Sequence, residues 1–243
     1  MIEAKLNLLD RIDQVFDDFV RNEYGPVCQP GCSVCCTADL VGTTLEAWRL
    51  LQALEDSGRR DLLAGLPEAV KTDLFRPRVT TNTLALACLS HQEAPLEAPQ
   101  AEPRPCLFLE NSLCPVYASR PFSCRGMLSL LRCRPGGEAE VPPELVIVVS
   151  VVWQIIEHLD AGGLYGHMYD LMSVLSDRNN VFNYVQGRQL IQRGLPPTKP
   201  LPGFLVPPDQ AETVGRFLSR LLEADCGGRT FRQCVTEVRP SPF

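Results

Sequence analysis

The first twenty-three residues place apolar side chains at Ile2, Leu6, Leu9, Ile12, Phe16 and Phe19, in steps of three and four, with acids and bases between them. That period predicts an amphipathic helix over 1–23, ended by Gly25 and Pro26. Thr43-Thr44-Leu45-Glu46 reads as a capping box, and the helix it opens carries Leu45, Trp48, Leu51 and Leu54 on one side. A further helix is predicted from about Arg59 to Phe75, broken or restarted at Pro67. Residues 144–160 (ELVIVVSVVWQIIEHLD) begin like a strand, but their length and the closing EHLD favour a buried helix. Shorter helical patterns follow Gly162-Gly163 over 164–176 and 181–193. Asp209 to Glu212 opens a last helix, whose stripe is Ala211, Val214, Phe217, Leu218 and Leu221.

Two proline-rich stretches, 93–105 and 195–208, read as extended connectors that cannot build a core. No repeat is evident, and no alternating run calls for a large sheet. The expected fold is mainly α: a helical domain with irregular cysteine-rich loops forming a metal site and little or no β-sheet. It is read as one domain, 1–243, with a cysteine-cluster core over 24–134 and a proline-linked helical extension over 195–243.

Composition is that of a globular chain, 45% hydrophobic and 21% charged. The 23 bases against 29 acids leave a net charge of −6, without the basic footprint of a nucleic-acid or anionic-membrane binder. The most apolar run, Leu145 to Ile156, is too short to span a bilayer and is interrupted by Ser150 and Gln154. The N-terminus lacks the basic start and apolar run of a signal peptide. A cytoplasmic protein with no nucleic-acid or membrane partner is expected, and nothing in the sequence names a protein partner.

The eleven cysteines change this picture. An odd total in a reducing compartment points to metal rather than to a closed disulfide framework. Cys28, Cys32, Cys35 and Cys36 fall within nine residues, and Cys106, Cys114, Cys124 and Cys133 follow the first connector. Thiolates are soft ligands suited to zinc and to iron–sulfur clusters, and several on one tight loop converge at little entropic cost. Pro30 and Gly31 suit the backbone angles of a loop wrapped round a metal. Dense thiols in turn-rich sequence are poor core fillers, whereas Cys88, Cys226 and Cys234 stand singly and read as buried structural residues. Vicinal Cys35 and Cys36 are expected to point apart. That suits a multinuclear cluster or separate roles, so two four-thiolate sites and one cluster with spare thiols both stay open. Cys133 is left undecided. A four-thiolate centre carries net negative charge, and Arg120 and Arg125 flank Cys124 as cations able to donate to sulfur. Arg132 and Arg134 do the same beside Cys133, and Tyr117 and Phe108 are read as packing.

Residues 28–36, with Val41, Thr43, Thr44 and Glu46, resemble the CxxCxxCC family of zinc- or iron-chelating proteins, also called YkgJ-type cysteine-cluster proteins. Cys106-Leu107-Phe108-Leu109, Cys114-Pro115-Val116-Tyr117 and Arg120-Pro121-Phe122-Ser123-Cys124-Arg125 resemble that family's second signature. This chain has three residues between Cys28 and Cys32 where the family's name implies two. The resemblance spans about 28–133 and implies a metal-binding module holding zinc or iron; it implies nothing for 140–243. Flagellin lysine N-methylase carries a similar cysteine module with an iron–sulfur cluster, which tilts the expectation to a 4Fe-4S cluster held by Cys28, Cys32, Cys35, Cys36, Cys106, Cys114 and Cys124, with zinc as the alternative.

Enzyme readings find less support. Cys28-x3-Cys32-x2-Cys35 matches the spacing of radical S-adenosylmethionine enzymes, and Gly136-Gly137-Glu138 mimics one of their motifs. The alternating strand–helix pattern of their barrel is missing, Val34 stands where an aromatic is usual, and Cys36 is unexplained. Hydrolase, zincin and Walker motifs are absent from the sequence. Cys88-x2-His91 reads as a solvent-edge loop, Glu157-His158 as a helix-end cap, and Gly162 to His167 as a flexible turn. No catalytic residue can be named. The cluster module of a protein-modifying methylase and an S-adenosylmethionine enzyme remain the catalytic alternatives.

Overall fold

Helix α1 (Ile2–Glu23) forms where the three–four spacing predicts it and buries Leu8, Leu9, Ile12, Phe16, Phe19 and Val20. The computed structural model describes residues 2–93, 97, 104–135 and 137–237; most of the first proline-rich connector, and Gly136 of the GGE triplet, lie outside the described residues. Among those described there are ten helices and one two-stranded sheet, a mainly α fold. Strand β1 (Val41–Thr43) leads into α2 (Thr44–Asp56), whose capping box closes as expected. Glu46 Oε2 accepts from Thr43 N at 2.8 Å and from Thr43 Oγ1 at 2.9 Å.

The helix predicted over 59–75 is reduced to a 3-10 turn, Arg60–Gly65, and a single turn α3 (Leu66–Ala69) with Pro67 inside it. Leu66 is the one buried residue of the two, so packing gives a longer helix no support. Helix α4 (Thr81–Leu89) was not foreseen. Its apolar residues form no stripe, and it rests on the Thr80 cap and on Asn82 and Ala85 turned inward. After the four-residue α5 (Phe122–Arg125), α6 (Pro143–Leu159) settles the strand–helix ambiguity as helix. Val148, Val151, Val152, Ile155 and Ile156 are all buried, so its near-continuous apolarity reflects contact on several sides.

The expected helix over 164–176 begins late, because Tyr165–His167 forms β2, antiparallel to β1 with Val41 opposite His167 and Thr43 opposite Tyr165. Of the segment read as a flexible turn, Gly162 and Gly163 do turn, while Tyr165–His167 is a strand with Gly166 and His167 buried. Helix α7 (Met168–Val174) follows, and α8 (Arg178–Val185) replaces the pattern over 181–193, capped by Asp177. Helix α9 (Ala211–Glu223) buries Val214, Phe217 and Leu221 as its stripe requires; α10 (Phe231–Glu237) was not foreseen. No helix among the described residues is long and apolar enough to cross a membrane.

Two buried clusters result. One joins α1, α6, α9 and α10, with Phe16 edge-on to Phe122 (4.9 Å between ring centroids) and Phe19 edge-on to Phe217 (5.3 Å). The C-terminal helices thus pack into the same core as α1. The other cluster gathers α2 and α7 with Phe108, Tyr184 and Leu190.

Buried carboxylates tie these parts together. Glu157 is not a simple helix-end cap: its two oxygens accept from Asn82 N and Lys199 N, each at 2.7 Å, joining α4 and the second connector to α6. His158 Nδ1 accepts from Leu201 N. Asp160, fully buried, accepts from Leu45 N at 3.2 Å and from the Tyr184 hydroxyl. Gly163 is required here, since a Cβ would lie 2.2 Å from Asp160 Oδ2. Burial pushes the Asp160 carboxyl up to about 7, with Lys5 pulling the other way. The folded chain therefore holds a proton that the unfolded chain releases between about pH 4 and 7. Its contribution is complete at the acid end and is lost as pH rises, by up to about 1.4 kcal/mol per pH unit. We expect Asp160→Asn to flatten the fall in stability across that window, measured by urea unfolding at pH 5, 6 and 7. An unchanged slope would remove Asp160 as its source.

Candidate metal centre

The first cysteine loop is built from two tight turns. Cys32 N donates to Gln29 O at 3.0 Å around Pro30 and Gly31, the latter at φ +90°, where a type II turn needs glycine. Cys36 N then donates to Ser33 O at 3.1 Å. The second cysteine segment pairs directly with the first: Cys106 N donates to Cys36 O at 3.1 Å and Ala38 N to Arg104 O at 2.7 Å. Asn111 and Ser112, at φ +48° and +63°, reverse the chain between Glu110 and Leu113 and bring Cys114 back. Cys124 sits in α5, whose Phe122 N donates to Glu46 Oε1 at 2.8 Å, so the capping carboxylate of α2 also fixes the helix bearing Cys124.

Cys28, Cys32, Cys35, Cys36, Cys106, Cys114 and Cys124 all line one cavity of about 310 Å³, together with Arg120 and Arg125. All eleven cysteines are free. Phe16, Val20, Met127 and Leu128 supply apolar wall. Cys28 packs against the α1–α6 cluster, and Cys106, Cys114 and Cys124 against the α2–α7 cluster, so the cavity lies at the seam between them. Among the described residues no group of three or more His, Cys, Asp or Glu side chains is arranged as around a single metal ion. Cys133, undecided from sequence, is an electrostatic neighbour of Cys28. Cys88 is exposed on α4, apart from this cavity.

The Cys35 and Cys36 thiols lie close enough to interact, which pulls Cys35 down to about 6 and pushes Cys36 up. Burial pushes Cys124 up to about 12, and Cys106, Cys114 and Cys35 add to it. Cys106 and Cys114 are also raised by burial. Packed this way, the thiols resist ionising together unless positive charge joins them.

The flanking arginines divide that task unequally. Arg120 lies over the Tyr117 ring at 4.0 Å and donates to Tyr117 O, while helping to line the cavity. Arg125 is 5% exposed and is paired with Asp13 at 3.1 Å and with Asp17, and it donates to Ala118 O. Its charge is already matched by carboxylates of α1, a pairing that the linear sequence could not signal. Tyr169 was also missed: its hydroxyl accepts from Leu107 N at 2.7 Å and donates to Cys106 Sγ at 3.7 Å. Phe108 packs edge-on to Tyr169 as a buried residue.

Comparison of the chain with protein-family models, curated proteins and solved structures gives no match. The chemistry is therefore read from the donor set alone, and seven thiols round one cavity fit a thiophilic metal or cluster. In metal-free protein at pH 7, we expect iodoacetamide to alkylate Cys35 first, roughly tenfold or more ahead of Cys124. Peptide mapping after brief labelling measures this, and preferential labelling of Cys124 would contradict the assignment.

Proposed function

We propose that this chain is a cysteine-ligated metal-binding protein of the cytoplasm, with an iron–sulfur 4Fe-4S cluster preferred over zinc and a structural, redox or sensing role. The observation that carries the reading is the convergence of seven free thiols from two remote segments on one cavity. Cys28, Cys32, Cys35 and Cys36 would hold the centre from one side, and Cys106, Cys114 and Cys124 from the other. A four-coordinate zinc draws its sulfurs to about 2.3 Å. Seven thiols spread over the walls of a 310 Å³ cavity better suit a larger core whose ligands sit on separate irons. When bound, such a cluster supplies one-electron transfer or a rigid cross-link.

The chain's own groups have distinct tasks in this reading. Arg120 brings positive charge to the thiolates, Tyr169 orients Cys106 through its hydroxyl, and Phe16, Val20 and Leu128 keep water from the sulfurs. The resemblance of residues 28–46 and 106–125 to the CxxCxxCC family agrees with this reading.

Anaerobic purification followed by iron, sulfide and zinc analysis, with an absorption spectrum, tests it. Iron with sulfide and a broad brown absorption is expected, and colourless protein with zinc would replace the cluster by a chelating module. Failure to retain either metal after anaerobic reconstitution would overturn the reading. S-adenosylmethionine cleavage after reduction would instead mark an enzyme. Cys35→Ser and Cys124→Ser should lose the metal, while Cys88→Ser should keep it. Structural metal contributes ~10–16 kcal/mol in zinc-finger peptides, comparable with the ~5–15 kcal/mol stability of a whole domain. Both cavity variants should therefore melt well below the parent, by calorimetry.

A further inference from the structure

A second set of thiols lies outside the cysteine cavity. Cys226 follows α9 and Cys234 lies in α10. The sequence presents them as isolated structural residues, but folding brings them to the wall of one cavity, where each is an electrostatic neighbour of the other. Both are half-buried and line a cavity of about 490 Å³ that α1 closes from the other side through Asn7, Asp10, Arg11 and Gln14.

The turn between them is fixed before any covalent bond forms. Gly227 and Gly228, at φ +77° and +85°, reverse the chain, and Cys226 N donates to Arg229 O at 2.7 Å. The Asp225 carboxylate accepts from both glycine amides, and Phe231 N donates back to Ala224 O at 2.8 Å. The ion pair between Arg229 and Glu237, 2.5 Å, spans the same turn from outside. Arg11 of α1 lines the same cavity, and its charge opposes the burial that pushes the Cys226 thiol up. Two free thiols thus share the wall of an accessible cavity that Arg11 also lines.

We propose that Cys226 and Cys234 form a reversible disulfide, by exchange with a small-molecule disulfide such as glutathione disulfide, that latches α10 to the end of α9. The Cys226 thiolate attacks one sulfur of the small molecule, forming a mixed disulfide and expelling one thiolate, which takes up a proton. Cys234 gives its proton to solvent and displaces the second thiolate from Cys226. Two protein thiols are oxidised to one disulfide, and one small-molecule disulfide is reduced to two thiols.

The test uses the full chain, metal-loaded as purified, equilibrated across ratios of reduced to oxidised glutathione, then acid-quenched, alkylated and digested with trypsin. The disulfide would join the peptide ending at Arg229 to the one beginning at Gln233. That linked species should rise with oxidised glutathione, disappear on reduction and be absent from Cys226→Ser. Amide exchange of Phe231–Glu237 should slow at least fivefold in the oxidised form. Thiols that stay alkylatable at every ratio, separate glutathione adducts on the two cysteines, or a linked peptide with unchanged exchange would each overturn the proposal. Metal content is measured in parallel, so failure of the metal reading and failure of the latch are read separately.

Discussion

A single carboxylate of α1 organises the cysteine-bearing region. Asp13 lies 2.6 Å from Arg49 of α2 and 3.1 Å from Arg125 of α5, and Arg49 also donates to Arg120 O at 3.2 Å. Burial pushes the Asp13 carboxyl up, and the two guanidiniums pull it back. Three buried charges are costly to desolvate, and they are tolerable only because each meets an opposite partner at close range. The four residues of α5 could not hold a helix alone. They are fixed by this ion network on one side and by Glu46 on the other, and Cys124 is carried between them.

Local periodicity was sufficient for α1, α2 and α9, because each buries one stripe, length and the closing EHLD decided α6, and the Thr43–Glu46 cap was legible from four letters. It failed where tertiary contacts decide. Helix α4 owes its place to Asn82 bonding Glu157 and Gln154, and Tyr165 to His167 became a strand because Val41 to Thr43 lay alongside. The stretch from Arg59 to Phe75 looked helical but offered little apolar surface for burial.

For the site, the clustered thiols and the Pro30-Gly31 turn were readable because ligand type and turn chemistry are local. The partners of Arg125, the Tyr169 hydroxyl on Cys106 and the meeting of Cys226 with Cys234 were not, since each depends on how segments distant in sequence or turned by glycines come together. The interaction of the Cys35 thiol with that of Cys36 was not readable either, since neighbouring side chains ordinarily diverge.

The position of the cysteine cavity between two separately packed halves has a mechanical consequence. Each cluster closes on its own apolar residues, and the cavity walls draw on both. An inorganic core installed between them would act as a rivet that ties one cluster to the other. Cys35, the exposed thiol of the seven, marks the side from which such a rivet is driven.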